Sequence, residues 1–406
     1  MRIACVVGAY PCASETFIER EIEALESSGH EPVVFTLWSA RGAQAACPPG
    51  RRVERCSVWS PWGELAAMRA SLRWQCHLLG QLLREGRAAW RALLGRGLAF
   101  DMARRMKRLG IERVHAHFAS APSTFAWFAA QVAGLPFSFA VHARDVFVEA
   151  EFFAAKARAA KRIIACNSAV ARRAAELAGE ADRGKIVLVP HGLPLERYPF
   201  RPERPVGLPL VLGVGRFVEK KGFAHLLEAI ATLRRRGRAV RCWLIGDGPE
   251  RKALQRQAAQ LALGDAVELK GWLPHDAVLA AYAQASALAA PSVVARDGDM
   301  DGLPNVVLEA AAAGLPLVTT DVGGLPDLVQ EGATGLVARP ADPGSLAARL
   351  DETLAGPDAA LARARRARQV AEDRFDEAKT TPQLLAALMP STDRLPHALS
   401  RLSAKG

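Results

Sequence analysis

The sequence predicts an α/β protein of two Rossmann-like, doubly wound domains facing a cleft, and three observations predict it. Short apolar runs alternate with amphipathic stretches along nearly all of the 406 residues, the pattern of parallel strands joined by crossover helices. The pattern restarts at Leu210, where an apolar run enters a glycine turn and a helical stretch as one does at Arg2. Between the halves lie Pro194, Pro199, Pro202, Pro205 and Pro209, a stiff joining segment. The expected division is an N-terminal domain over 1–190 with a helical insertion at 61–110, a linker over 191–208, a C-terminal domain over 209–375, and a closing helix and tail over 376–406.

In order, residues 2–7 read as a buried strand, followed by a loop from Gly8 and a helix over 15–25 ending at Gly29. Residues 32–37 complete a βαβ unit, so the Gly8 loop lies at the carboxyl edge of a parallel sheet, where open sheets bind ligands. From 61 to 110, Leu65, Met68, Leu72, Cys76, Leu79 and Leu83 recur at helical spacing among arginines. Two readings stay open there. One is an insertion covering the first sheet; the other is an amphipathic surface that contacts anionic lipid, since its Arg and Trp residues suit the headgroup zone. Residues 113–120 read as a strand and loop with His115 and His117, and a helix leads to a strand over 137–145 with His142 and Asp145. A histidine at a strand end is either a hydrogen-bonded structural group or a cleft group, and position alone does not separate the two. A strand over 162–166 ends at Asn167-Ser168, an N-cap for a helix over 169–178, and a strand over 186–189 reaches the linker.

In the second half, residues 210–214 form a strand entering Gly215-Arg216 and, five residues on, Lys221-Gly222. A glycine approach with an Arg and a Lys suits a diphosphate, Arg clamping two oxygens and Lys adding a point charge. Gly213-x-Gly215 lacks the third glycine of a dinucleotide fingerprint, which argues against a dehydrogenase. Strands over 241–245, 267–271 and 287–291 end at the Gly246 turn, at Trp272-Leu273, and ahead of Asp301-Gly302-Leu303-Pro304-Asn305-Val306. Pro304 stands at the first turn of a helix that Gly314 ends, so its amides offer a positive dipole end to an anion. Asp301 before that helix and Glu309 within it suit hydroxyl-rich groups beside a phosphate. A sugar nucleotide has both. Helices over 345–355 and 357–374 close the domain, and 384–389 is expected to cross back to the first.

Asp301 to Glu309 resembles the acid-seven-residues-acid signature of retaining glycosyltransferases of family 4, with Asp in place of the usual first Glu. Gly215-Arg216 through Lys221-Gly222 resembles that family's Gly-Arg-Leu-x-x-x-Lys-Gly motif. His115-x-His117 and His142-x-x-Asp145 match its histidine positions, and Thr16-Phe17-Ile18 with Arg20-Glu21 is similar to the first helix of its bacterial exopolysaccharide, colanic-acid-type members. The resemblance implies a GT-B arrangement and a retaining, metal-independent transfer of a hexose from a UDP- or GDP-linked donor to a saccharide or lipid-linked acceptor. By it, Arg216 and Lys221 hold the phosphates, with Gly8, Gly215, Gly246, Gly302, Leu303, Pro304, Asn305 and Val306 at the donor. The main chain at Trp272 and Leu273 would read the base, Glu309 the ribose and Asp301 the hexose. His117 would lie near the donor sugar, and His142 and Asp145 on the acceptor side. The implied catalytic set is His117, Arg216, Lys221 and Asp301. The nucleotide sugar is a substrate, and no cofactor or metal is expected: Asp299-Met300-Asp301 has the letters of a metal motif but falls where the family places its acidic donor loop.

Composition narrows the remainder. The net charge of +11 invites anionic partners, but no helix-turn-helix, zinc-finger or RNA-recognition signature supports nucleic acid. Seven cysteines without a Cys-x-x-Cys pair fit a reduced cytoplasmic protein better than a disulfide scaffold or zinc site. The N-terminal apolar run is too short for a secretory segment, and no run reaches the roughly 18 apolar residues of a span, so membrane contact is expected to be peripheral, on the inner face of the plasma membrane. Two other functions compete. A catalytically silent nucleotide-sugar-binding protein is favoured by Asp301, and a GT-B sugar-nucleotide epimerase would need further acids and a His in the second domain.

Overall fold

The computed structural model describes residues 1–12, 15–38, 50–56, 96–201 and 207–389. The chain divides into two units: one takes residues up to Cys166, Val170–Val189 and the chain from Thr381, the other takes Asn167–Ala169 and Pro190–Thr380.

In the first unit, seven parallel strands are described: β1 (Arg2–Val7), β2 (Glu31–Thr36), β3 (Val53–Arg55), β4 (Arg113–His117), β5 (Phe137–Val141), β6 (Arg162–Ala165) and β7 (Ile186–Leu188). They lie in the order β3-β2-β1-β4-β5-β6-β7. The helices are α1 (Thr16–Ser27), α2 (Arg96–Arg108), α3 (Ala121–Ala133), α4 (Ala143–Phe147), α5 (Phe153–Ala159) and α6 (Ser168–Ala178). Residues 3–7 of β1 are buried without a polar interruption, as a central parallel strand covered on both faces requires. Ile3, Cys5 and Val7 on one face of β1 pack with Ile18, Ile22 and Leu25 of α1, whose apolar residues recur at helical spacing.

The strand expected over 137–145 stops at Val141, and a short helix follows. The reason is local: the Asp145 carboxylate accepts the His142 amide at 3.0 Å and so caps a helical turn that an extended chain could not form. Of the region 61–110, residues 96–110 with α2 are described; both readings of 61–95 fall outside the described residues, as does the tail over 391–406.

In the second unit the described strands are β8 (Leu210–Val214), β9 (Arg241–Ile245), β10 (Val267–Gly271), β11 (Ala287–Ala290), β12 (Leu317–Thr320) and β13 (Leu336–Ala338), parallel and ordered β10-β9-β8-β11-β12-β13. The helices are α7 (Phe223–Arg235), α8 (Arg251–Gln260), α9 (His275–Gln284), α10 (Asn305–Ala312), α11 (Pro343–Ala355) and α12 (Pro357–Arg374). The stretch read as a linker is not a free connector in its first part. Leu193, Leu195 and Tyr198 lie in the unit's core, and the Leu193 amide donates to Phe375 O at 2.8 Å, because these apolar side chains find burial beside α12. The last described helix, α13 (Glu377–Leu388), supplies Leu384, Ala387 and Leu388 to the core of the first unit.

Each sheet winds outward, then restarts beside its own first strand, so the order reverses between β1 and β4 and again between β8 and β11. Open sheets bind ligands outside the carboxyl ends of the strands at such points. Among the described residues no helix is long and apolar enough to cross a membrane.

Candidate functional site

The reversal between β8 and β11 gathers most of the chemistry of the second unit. After β8 the chain turns through Gly215 (φ +150°), and the Gly246 turn after β9 passes so close that a Cβ at Gly246 (φ +137°) would stand 1.9 Å from Gly215 O. Phe217 anchors the loop: it is fully buried, and its amide donates to Asp247 O at 2.8 Å. Arg216, the residue before it, is left exposed to solvent. A 3-10 turn over Glu219–Lys221 then carries two lysines toward the segment that follows β11.

Lys221 Nζ donates to Asp301 Oδ2 at 2.9 Å, and Ser292 Oγ donates to the same oxygen at 2.8 Å. Lys220 Nζ donates to Asp299 at 3.1 Å and to Met300 O at 3.4 Å, and stands 3.9 Å from Asp301 Oδ1. Asp301 and Asp299 are 6% and 8% exposed, and buried carboxylates persist as ions only when matched in this way. Asp301 therefore sits inside an ion network.

Behind this loop lies the turn after β12. Gly323 adopts φ +63°, and a Cβ there would fall 1.8 Å from Asp301 O, so only glycine lets the Asp301-Gly302 backbone rest on it. The Gly324 amide donates to Gly302 O at 3.1 Å. Leu303 leads to Pro304, which occupies the N-cap of α10 in extended geometry (φ −65°, ψ 131°), one position earlier than expected. The same fixed φ fits both positions, and proline loses no helical bond at either. The first intrahelical bond is from Val307 N to Pro304 O at 3.0 Å, so the Asn305 and Val306 amides are the ones aimed out of the helix end. Just over one turn in, Glu309 Oε2 accepts from the hydroxyl of Tyr282 at 3.0 Å. Burial first, and then the charge of Glu309, push the Tyr282 phenol well above its ordinary range, so it stays a donor. Trp272, after β10, is 74% exposed, and Leu273 packs against the core.

The reversal in the first unit holds the histidines. Gly8 ends β1, with the Trp38 indole 2.9 Å from where its Cβ would be. His115 and His117 both lie on β4, each 1% exposed, and Glu21 of α1 reaches His117, Oε2 to Nδ1, at 3.7 Å. The Phe17 and His142 rings lie 4.9 Å apart, tilted by 43°. Asp145 faces inward: Oδ2 accepts from Ala119 N at 2.9 Å and from His142 N at 3.0 Å. Its carboxylate is thus used to shape the loop after β4 and to cap α4. Buried Lys156 also holds this loop, donating to Ala119 O and to Ser123 Oγ at 3.1 Å.

Lys221, Asp301 and the amides ahead of α10 are brought together around one loop, while Arg216 shares their turn but faces solvent. The sequence reading missed Lys220, Asp299, Ser292 and Tyr282 as members. The Lys-Lys and Asp-x-Asp pairs were visible signals for two of these, whereas nothing local marks Ser292 or Tyr282.

A model of the family described as Glycosyltransferase Family 4 matches residues 14–197, and one described as Glycosyl transferases group 1 matches 196–370. The chain is similar to WcaL of Salmonella typhimurium, described as a colanic acid biosynthesis glycosyltransferase, at 36% identity over 169 residues, 41% of this chain and 42% of that one. It is 33% identical to the amylovoran biosynthesis glycosyltransferase AmsK of Erwinia amylovora over 167 residues, 41% of each. The chain thus spans about two fifths of the length of these curated relatives. Among solved structures, HepE of Anabaena in complex with UDP aligns at a TM-score of 0.72 and 18% identity, covering 96% of this chain and 99% of that one. WaaG, a glycosyltransferase involved in lipopolysaccharide biosynthesis, aligns at 0.65 and 18%, covering 96% and 100%. The fold is that of these GT-B proteins.

Proposed function

This chain belongs to glycosyltransferase family 4, and from that premise we propose that it moves a hexose from a UDP- or GDP-linked donor to a saccharide or lipid-linked acceptor, with retention and without a metal. The observation that carries the proposal is the junction of Lys221, Asp301 and the amide end of α10 at the β8–β11 reversal. On leaving, the nucleoside diphosphate develops charge; Lys221 and the Asn305 and Val306 amides are preorganised to meet it, the kind of stabilisation that dominates many transfer reactions, and solvent-facing Arg216 is assigned to clamp the same phosphates. With the phosphates there, Glu309 binds the ribose hydroxyls, held by Tyr282, and Asp301 addresses the hexose while sharing Lys221. The main chain at Trp272 and Leu273 is assigned to the base, and Gly8, Gly215, Gly246, Gly302, Leu303 and Pro304 to close approach of the donor. His117 is assigned to the transferred hexose and His142 to the acceptor. Asp145 positions the loop beside them. Retention follows if the acceptor hydroxyl attacks on the face the diphosphate leaves. The similarity to colanic acid and amylovoran enzymes supports a role in exopolysaccharide or other cell-surface glycan assembly on the cytoplasmic side.

The test is a panel of nucleotide sugars, scored for donor hydrolysis and transfer, with wild type beside Lys221→Ala and Glu309→Ala. Turnover by wild type that falls by about 10²–10³-fold in Lys221→Ala is the expected result. Donor binding with no turnover would make the protein a silent binder, and release of an epimerised sugar would make it an epimerase.

A further inference from the structure

His115 has no part in that reading, yet it is a polar ring sealed inside the first unit. Its Nδ1 lies 3.0 Å from Ser138 Oγ, and that hydroxyl donates onward to Val114 O at 3.4 Å. With the serine proton directed to the carbonyl, Nδ1 carries the ring's N–H and Nε2 is a bare lone pair; among the described residues no hydrogen-bond donor meets it. His117 follows two residues along β4, hence on the same face, with ring centroids 5.0 Å apart. Glu21 completes the group from α1, and the donor atoms of the three all lie within 4.8 Å of one another.

We propose that Glu21, His115 and His117 form a binding site for a divalent cation of the zinc class. Two imidazoles and a carboxylate are a donor set for borderline ions, and hydrogen bonding of the distal N–H, here to Ser138, is what fixes the tautomer of a metal-bound histidine. Zinc bonds of about 2.0–2.2 Å place tetrahedral ligand atoms roughly 3.3–3.6 Å apart. The pair at 3.7 Å is already near that spacing, and side-chain rotation closes the rest. The Glu21 side chain is 14% exposed, which gives the ion and a completing water an edge to enter by. Because the ion would occupy His117, it acts as an inhibitor of the transfer proposed above. That last step rests on the proposed function; the binding does not.

The experiment titrates the chelator-treated full-length protein with Co²⁺ and reads the d–d absorption of tetrahedral cobalt, then displaces it with Zn²⁺. Expected are one ion per chain and at least tenfold weaker binding in His115→Gln and in Glu21→Gln. His225→Gln, on α7 of the second unit, should match wild type, and thermal melts report whether each variant is folded. Equal binding by wild type and folded His115→Gln, or no binding by wild type, overturns the site. Zn²⁺ should also suppress turnover in wild type and not in His115→Gln; binding without suppression overturns the inhibitory role alone. A protein that binds cobalt but turns over no donor refutes the transferase reading and leaves the site standing.

Discussion

At the scale of single residues, the acids of the second unit differ in how they are held. Asp301 is locked by Lys221 and Ser292, whereas Glu309 has one oxygen fixed by Tyr282, a phenol 4% exposed. A hydrogen bond to a charged group contributes about 1.5–3 kcal/mol. Tyr282→Phe removes that bond without opening a cavity, so donor KM or Kd should rise roughly tenfold with kcat little changed. Steady-state kinetics with a saturable donor checks this, and an unchanged KM would mean that Glu309 needs no such support. Glu309 was marked by its motif, but its partner was not: Tyr282 reads as one more core residue of α9, and only packing brings its hydroxyl to α10. The Asp301 motif, by contrast, was readable, but its ion network was not, since Lys221 lies 80 residues away.

At the scale of elements, the turn after β12 decides where the Asp301 loop sits. Gly323 and Gly332 have similar backbone angles, φ +63° and +69°, but a Cβ at Gly323 meets Asp301 O while one at Gly332 meets nothing within 4 Å. An alanine in the left-handed region costs about 1–2 kcal/mol by itself. Gly332→Ala should lose about that much stability and keep donor affinity. Gly323→Ala should lose more and bind donor at least tenfold more weakly, as the loop is pushed from its rest. Calorimetric melts and donor titration of both variants decide it, and equal behaviour of the two would show that the contact with Asp301 O is unimportant. The strand ends were mostly legible from apolar runs bounded by glycine. Where they were not, as at residues 142–145, a side-chain cap from Asp145 turned a stretch with strand-like composition into a helix.

For the whole molecule, the last described helix belongs with the first unit from Thr381 on, where Leu384 and Leu388 pack with Ile3, Ile22 and Leu25. Leu388 is 1% exposed, so Leu388→Ala should cost about 2–5 kcal/mol. Hydrogen exchange should report that loss in β1 and α1 and leave β8 and α7 protected; a loss confined to the second unit would contradict the packing. By itself the sequence determined the alternation of strands and helices, the repeat of one architecture in two halves, and the residue types suited to a pyrophosphate and to sugar hydroxyls. These are local properties, written in periodicity, glycine turns and helix ends. Only the tertiary structure decided the strand order in each sheet, hence which loops meet at each reversal, and with it the joining of Lys221 to Asp301, of Tyr282 to Glu309, and of His115 and His117 to Glu21. Such pairings depend on side chains far apart in the chain competing for burial and for charge compensation, and no window of neighbouring residues carries that information.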